Sequence, residues 1–274
     1  MNNPVGVMAG MRAEREILGG VERLGLKCCQ VCCWDMKLYT REHATRLNKE
    51  IRKTGIKVTS LWAGWPGPAV WNFVQGPSTL GLVPRKYRKS RVAALKMAAD
   101  FAVWCKIPAI VTHLGFIPEA PVDPVFKEMV STVKEVAVYC KKRGLEFWFE
   151  TGQETPVTML RLIQEVNTGN LGVNLDPANL ILYGKASPVD SLDVFGKYVA
   201  GIHAKDGVYP TDPMSLGHEV RVGTGKVRFP ELIRKLGKIG YKGAFIIERE
   251  ISGEQQIIDI KKTIGYLDRL LRRK

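Results

Sequence analysis

LEFWFETGQETPVTMLRLIQEVNTGNLGVNLDPANL (145–180) holds two apolar runs joined by one amphipathic segment. The first run, LEFWFE, and the second, LGVNLD, are rich in aromatic and aliphatic residues, and each closes on a carboxylate, Glu150 and Asp176. Between them TPVTMLRLIQEV (155–166) carries apolar residues at helical spacing, opened by Thr155, which can cap the first turn. Strand, helix, strand is the unit of a parallel sheet, because parallel neighbours need a crossover long enough to hold a helix.

The same unit recurs along the chain. Strands are predicted at Val5–Ala9, Leu26–Cys33, Ile56–Trp62, Ala109–His113, Leu145–Glu150, Leu171–Asp176, Val199–Ala204 and Ala244–Glu248. Helical patterns lie at 40–55, 91–106, 124–144, 155–166, 229–240 and 253–273, several ending in Gly after basic residues. Continuous Val/Ile/Leu strands alternating with helices mean a parallel sheet covered on its outer face. Eight units in 274 residues favour one closed (β/α)8 TIM barrel of the α/β class, with residues 1–274 as a single domain. No GxGxxG follows the first strand, which counts against a dinucleotide-binding open sheet. The longest insertion, 63–87, follows the third strand and is rich in Gly, Pro and Trp, which marks a structured loop on the catalytic face.

Glu150, Asp176, His203 and Glu248 each stand at the C-terminal end of one of four successive strands. In a barrel, alternate residues face the axis. Trp148 and Glu146 then face inward with Glu150, Asn174 and Gly172 with Asp176, Val199 and Gly201 with His203, and Ile246 and Ala244 with Glu248. The bulky apolar residues between them face the helices. Three carboxylates and one imidazole on a common axis suit one divalent ion, with Mn²⁺ or Mg²⁺ favoured by the oxygen ligands and Co²⁺ or Zn²⁺ compatible. Two glutamates flanking such an ion can serve as general bases on opposite faces of a substrate.

The formal charge of +14 is the abnormal bulk property. Its basic residues are scattered, as in RKYRKSR (85–91), KKR (141–143) and LRRK at the end, and none is interleaved with stacking aromatics. Solvated helix faces account for them better than nucleic acid, and an anionic substrate stands between these readings. No run is long and apolar enough to span a membrane, and no secretory leader pattern opens the chain, so a cytoplasmic location is expected. CCQVCC (28–33) reads as a strand of reduced thiols pointing to alternate faces, which opposes a zinc knuckle.

VTHLG (111–115), FETG (149–152), NLDPANL (174–180), GIHAKDG (201–207), VGTGKVRFPELI (222–233) and GYKGAFIIERE (240–250) together resemble the xylose-isomerase-like barrel superfamily. Within it the resemblance is to the sugar isomerase/epimerase group, which includes tagatose 3-epimerases and inosose isomerases or dehydratases. It implies that Glu150, Asp176, His203 and Glu248 bind one divalent metal, and that Glu150 and Glu248 exchange protons with the substrate. The implied activity is isomerisation or epimerisation of a sugar, keto-sugar or cyclitol through an enediolate. A lyase or dehydratase acting on a keto-polyol or keto-glycoside is the alternative. Ketose 3-epimerases carry a His where this chain has Asn179 and an Arg where it has Tyr209, so a simple free ketohexose fits poorly. Lys205, with Arg221 or Arg228, can supply the missing positive charge.

His113 ends the fourth strand and faces inward, positioned to meet a substrate oxygen. Trp62, Trp65, Trp71 and Phe73 can form an aromatic wall for a carbohydrate, and they can equally pack a loop or the interface of a homo-oligomer. Glu154 can touch substrate, although ETGQETP also reads as a helix entry. A DNA-repair endonuclease of the endonuclease IV type shares the barrel but needs a histidine-rich multi-metal cluster. This chain has 4 histidines, and His43 falls on a helix away from the catalytic face, with only His218 left to add.

Overall fold

The computed structural model describes residues 3–272, so the predicted helical position 273 and the outermost residues of the 1–274 span lie outside the described residues. Eight strands close into a parallel barrel: β1 (Val5–Gly10), β2 (Cys28–Cys33), β3 (Lys57–Ala63), β4 (Ala109–His113), β5 (Glu146–Glu150), β6 (Leu171–Leu175), β7 (Val199–Ala204) and β8 (Phe245–Ile247). β1 pairs with both β2 and β8, which leaves the sheet no free edge. The arrangement is a single (β/α)8 TIM barrel, as the alternation of runs predicts.

Local chemistry explains where the helices begin. Thr40, Asp123, Thr155 and Ser187 each accept a backbone N–H in the first turn of the helix they open. Two helices absent from the sequence reading, Pro177–Leu182 and Pro188–Phe195, lie between β6 and β7. Both had a legible signal, since Asp176-Pro177 and Ser187-Pro188 each place a capping side chain before a proline at the first helical position. The helix predicted at 91–106 starts earlier, at Arg85, because Pro84 sets up its first turn.

The main core fills the space between the sheet and its helices. Inside the barrel, smaller groups of Trp62, Ala109, Val111 and Trp148, and of Cys28, Ala244 and Ile246, pack along the axis. The parity holds for the four strands that end in candidate ligands, with one correction. A bulge between β6 and β7 pairs Val173 with Val199 but Asn174 with Gly201. Val199 therefore packs into the outer core, and Ala200 takes the inner position assigned to it.

The basic segments divide. Arg85 and Arg88 pair with Glu128, and Arg143 with Asp100, on helix faces. Arg91, expected on a solvated face, is instead fully buried. All six cysteines are free, with those of β2 alternating between the two sheet faces. No helix among the described residues is long and apolar enough to cross a membrane.

Candidate metal centre and catalytic pocket

Each candidate ligand is delivered by the end of a strand. Glu150 is the last residue of β5, Asp176 follows β6, His203 lies near the end of β7, and Glu248 follows β8. One atom from each lies within 4.8 Å of the atoms offered by the others. His203 Nδ1 is 3.3 Å from Glu150 Oε1, 3.7 Å from Asp176 Oδ2 and 3.2 Å from Glu248 Oε2.

The histidine is oriented from below. Its Nε2 donates to Gln30 Oε1 at 2.7 Å, and the Gln30 amide in turn donates to Ser60 Oγ at 2.7 Å. The Asn174 amide also lies 3.0 Å from Nε2. Fixing one ring nitrogen this way leaves the other free to face a cation, as metal-ligating histidines require. Asp176 divides its work similarly. Oδ1 accepts the Asn179 N–H and caps the Pro177–Leu182 helix, whereas Oδ2 points into the cluster. Both Asp176 Oδ2 and His203 Nδ1 are buried without a hydrogen bond of normal geometry. Buried orphans of that kind call for an unplaced partner.

Charge makes the same case. Glu150 and Asp176 are buried carboxylates and Glu248 a partly buried one, and Lys205 Nζ lies 3.4 Å from Asp176 and 3.2 Å from Glu248. Three carboxylates against one ammonium leave two negative charges, which a divalent ion neutralises once His203 is neutral. The donor set and geometry fit one such ion. Burial works to lower His203, but the charges of Glu150 and Glu248 outweigh it and hold the ring well above the usual histidine range. Burial likewise works to raise Glu150 and Glu248. His203 and His113 outweigh it at Glu150, and Lys205 and His203 bring Glu248 down to about 2.

The residues predicted to meet substrate are only partly gathered. His113, Trp62 and Asn179 line a cavity of about 450 Å³ above Glu150 and Glu248. His113 Nε2 is 3.2 Å from Glu150 Oε1, and Asn179 Nδ2 is 3.4 Å from the same oxygen. Trp62, expected as a stacking surface, donates its indole N–H to Glu150 Oε2. Lys205 is buried under the rim, its ammonium shared among Asp176, Glu248 and Glu250, the last at 2.9 Å. Asp206, its neighbour in sequence, accepts the backbone N–H groups of Gly207, Gly223, Gly225 and Val227. Arg221 does not line this cavity; it donates to the Val222 carbonyl. Arg228 pairs with Glu231, and Tyr209 reaches toward the Ala186 carbonyl.

Sequence reasoning missed Gln30, Trp34 and Glu250. Gln30 was hidden in an otherwise apolar run, yet its inward parity with Cys28 and Cys32 was a usable signal. Glu154 is 1% exposed, and no side chain hydrogen-bonds to either carboxylate oxygen. Burial pushes it up to about 7.

A barrel with a cation-ready cluster at the C-terminal ends of its strands defines a class of TIM-barrel proteins with metal-competent mouths. The description "Xylose isomerase-like TIM barrel" matches residues 20–270, and the chain belongs to that family. A xylose isomerase domain protein from Planctomyces limnophilus is 36% identical, with a TM-score of 0.92 over 98% of this chain and 97% of that one. A D-tagatose 3-epimerase-like protein superposes with a TM-score of 0.76 at 18% identity, covering 97% of this chain and 98% of that chain, a likeness of fold alone. An uncharacterised protein of Methanocaldococcus jannaschii is 26% identical over 176 residues, which is 60% of this chain and 58% of that protein's length.

Proposed function

We propose that the protein is a divalent-metal-dependent isomerase or epimerase of a sugar, keto-sugar or cyclitol, with residues 1–274 acting as one domain. The observation that carries this reading is the pair Glu150 and Glu248. They come from β5 and the end of β8, strands separated by two others, and both line the cavity on either side of His203. Glu150, Asp176, His203 and Glu248 would hold the ion, and His203 would release its Nδ1 proton to do so. A divalent cation held by these residues would supply Lewis-acid polarisation of a substrate carbonyl.

The chain's own groups then move the proton. One of Glu150 and Glu248 removes it from the carbon beside the carbonyl, and the other returns it on the opposite face. For isomerisation the proton returns to the neighbouring carbon. Trp62 and His113 hold the Glu150 carboxylate in place through its two oxygens. Asn179 offers a short polar contact at the rim. A small carbohydrate is the partner this arrangement suits, and a cytoplasmic setting is consistent with the free thiols. Among the described residues no second group of metal-ligating side chains accompanies the first, which speaks against a multi-metal nuclease.

Turnover of candidate keto-sugars and inososes in deuterated water tests the reading. Deuterium should enter the product at the carbon beside the carbonyl. Independently, calorimetric titration with Mn²⁺ should find about one ion bound per chain, as a single four-ligand site implies. Full activity in both Glu150→Gln and Glu248→Gln would sink the proton-transfer proposal.

A further inference from the structure

The cavity at the barrel mouth has two unlike halves. One presents Glu150, Glu248, His113 and Asn179. The other is a bank of indoles built from three segments: Trp34 after β2, Trp62 in β3, and Trp65 and Trp71 in the loop beyond. Trp65 is 4% exposed and sits between the outer two, its ring centroid 5.3 Å from Trp34 and 6.2 Å from Trp71. Trp34 and Trp71 are 43% and 40% exposed, and both line the cavity.

The bank is rigid by construction. Trp34 presses so closely on Gly64 that a Cβ there would lie 2.5 Å from its ring. Arg91 carries the loop. Among the described residues its guanidinium has no carboxylate partner; it donates to the carbonyls of Pro66, Pro68 and Gly81 and lies 5.2 Å from the Trp65 ring centroid. Burying an arginine on backbone carbonyls alone is costly, and burial indeed pushes it down to about 10. The fold bears that cost where the loop must keep one shape.

Two preorganised indole faces, half in solvent and beside a polar site, are surfaces waiting to be covered. The carboxylate half already suits a hydroxyl-rich ring. The cavity lies within the size range of sites that take drug-sized ligands, which leaves room beyond a lone sugar. We infer that the substrate is a glycoside whose sugar ring sits at the carboxylate half and whose flat, apolar aglycone lies against Trp34 and Trp71. This rests on the carbohydrate reading above and names the substrate class for the same site.

Equilibrium binding tests it apart from catalysis. Methyl, cyclohexyl and 4-nitrophenyl β-D-glucosides are titrated by calorimetry into the Mn²⁺-loaded protein. The 4-nitrophenyl compound should bind about tenfold tighter than the methyl one, in the range an aromatic contact supplies, with the cyclohexyl compound between. Trp71→Ala and Trp34→Ala should each shrink that ratio toward one, and thermal melting establishes that each variant is folded. Trp71, the loop residue, serves if Trp34→Ala fails to fold. Equal affinities for the three glucosides, or an unchanged ratio in both variants, would overturn the inference while leaving proton transfer standing. No binding by any glucoside would also overturn the inference, and deuterium exchange with keto-sugars and inososes would still decide proton transfer separately.

Discussion

The two ends of the barrel interior are built by the same eight strands and obey opposite rules. At the floor, below His203, the inward residues are Cys28, Gln30, Ser60, Trp148, Asn174, Ala244 and Ile246. These side chains are neutral and mostly satisfied: Gln30 bonds Ser60, and the Trp148 indole N–H bonds Oε2 of Glu146, an exposed carboxylate at the outer end of the same strand, at 2.6 Å. One or two steps further along the same strands, the mouth holds Glu150, Asp176, His203, Lys205 and Glu248, all ionisable and all inward. Orphaned buried atoms concentrate there, on His113, Gln153, Glu154, Asp176 and His203. A floor of this kind stabilises the barrel, whereas the mouth keeps polar groups in reserve for something bound.

The comparison breaks most sharply at Glu248. Glu248→Gln keeps the shape but removes the proposed base and weakens the proposed ligand, so kcat should fall by about 10⁴-fold or more. Steady-state assay with saturating Mn²⁺ measures it, and metal affinity by calorimetry should fall in parallel. Loss of metal binding with full activity would detach the chemistry from the cluster.

Glu154 sharpens the contrast through pH. Its folded pKa is raised by burial to about 7, so the folded protein keeps that proton after the unfolded chain has lost it. The group's contribution is therefore fully present below the unfolded value and is lost as pH rises through the folded one. Wild type should lose up to about 3 kcal/mol between about pH 5 and pH 8 relative to Glu154→Gln. Denaturant unfolding of both proteins at the two pH values checks the difference. Parallel pH profiles would place the carboxylate in contact with a partner that compensates it.

Gln30 stands at the boundary between the two ends. Gln30→Leu removes the acceptor that fixes His203 Nε2, and metal affinity should weaken by about 10–100-fold while the barrel still closes. Competition with a fluorescent chelator measures this.

Much of the architecture, and the gathering of Glu150, Asp176, His203 and Glu248 in one cluster, was legible because strand parity is a property of sequence. Once Glu150 is inward, Trp148 must be as well, and the run LEFWFE states both. Two kinds of feature escaped. Bulges shift parity without a compositional mark, and the Ala200 bulge moved Val199 to the outer core. Side-chain partners across the barrel are set by register between strands far apart in sequence. That Trp62 would donate to Glu150, or that Lys205 would serve three carboxylates instead of neighbouring Asp206, depends on such register. Residue type announces capacity, and only tertiary placement decides which partner uses it.

The smallest effect is expected at the floor, and it is the control on which the comparison depends. Ile246 is 2% exposed, packs with Cys28 and Ala244, and stands two residues below Glu248 on the same face of β8. Ile246→Val removes one methylene from the floor of the barrel and leaves every polar contact of the mouth in place. The cost should be about 1 kcal/mol, the sum of lost transfer energy and a small void. Equilibrium unfolding reads that cost, and chelator competition on the same sample should show metal affinity within about twofold of wild type, since Ile246 pairs with His203 through the backbone ladder alone and the substitution touches no polar side chain. If one methylene at the floor instead weakened metal binding tenfold, the two ends would be mechanically one unit. Packing beneath the cluster would then have to be counted among the determinants of its geometry.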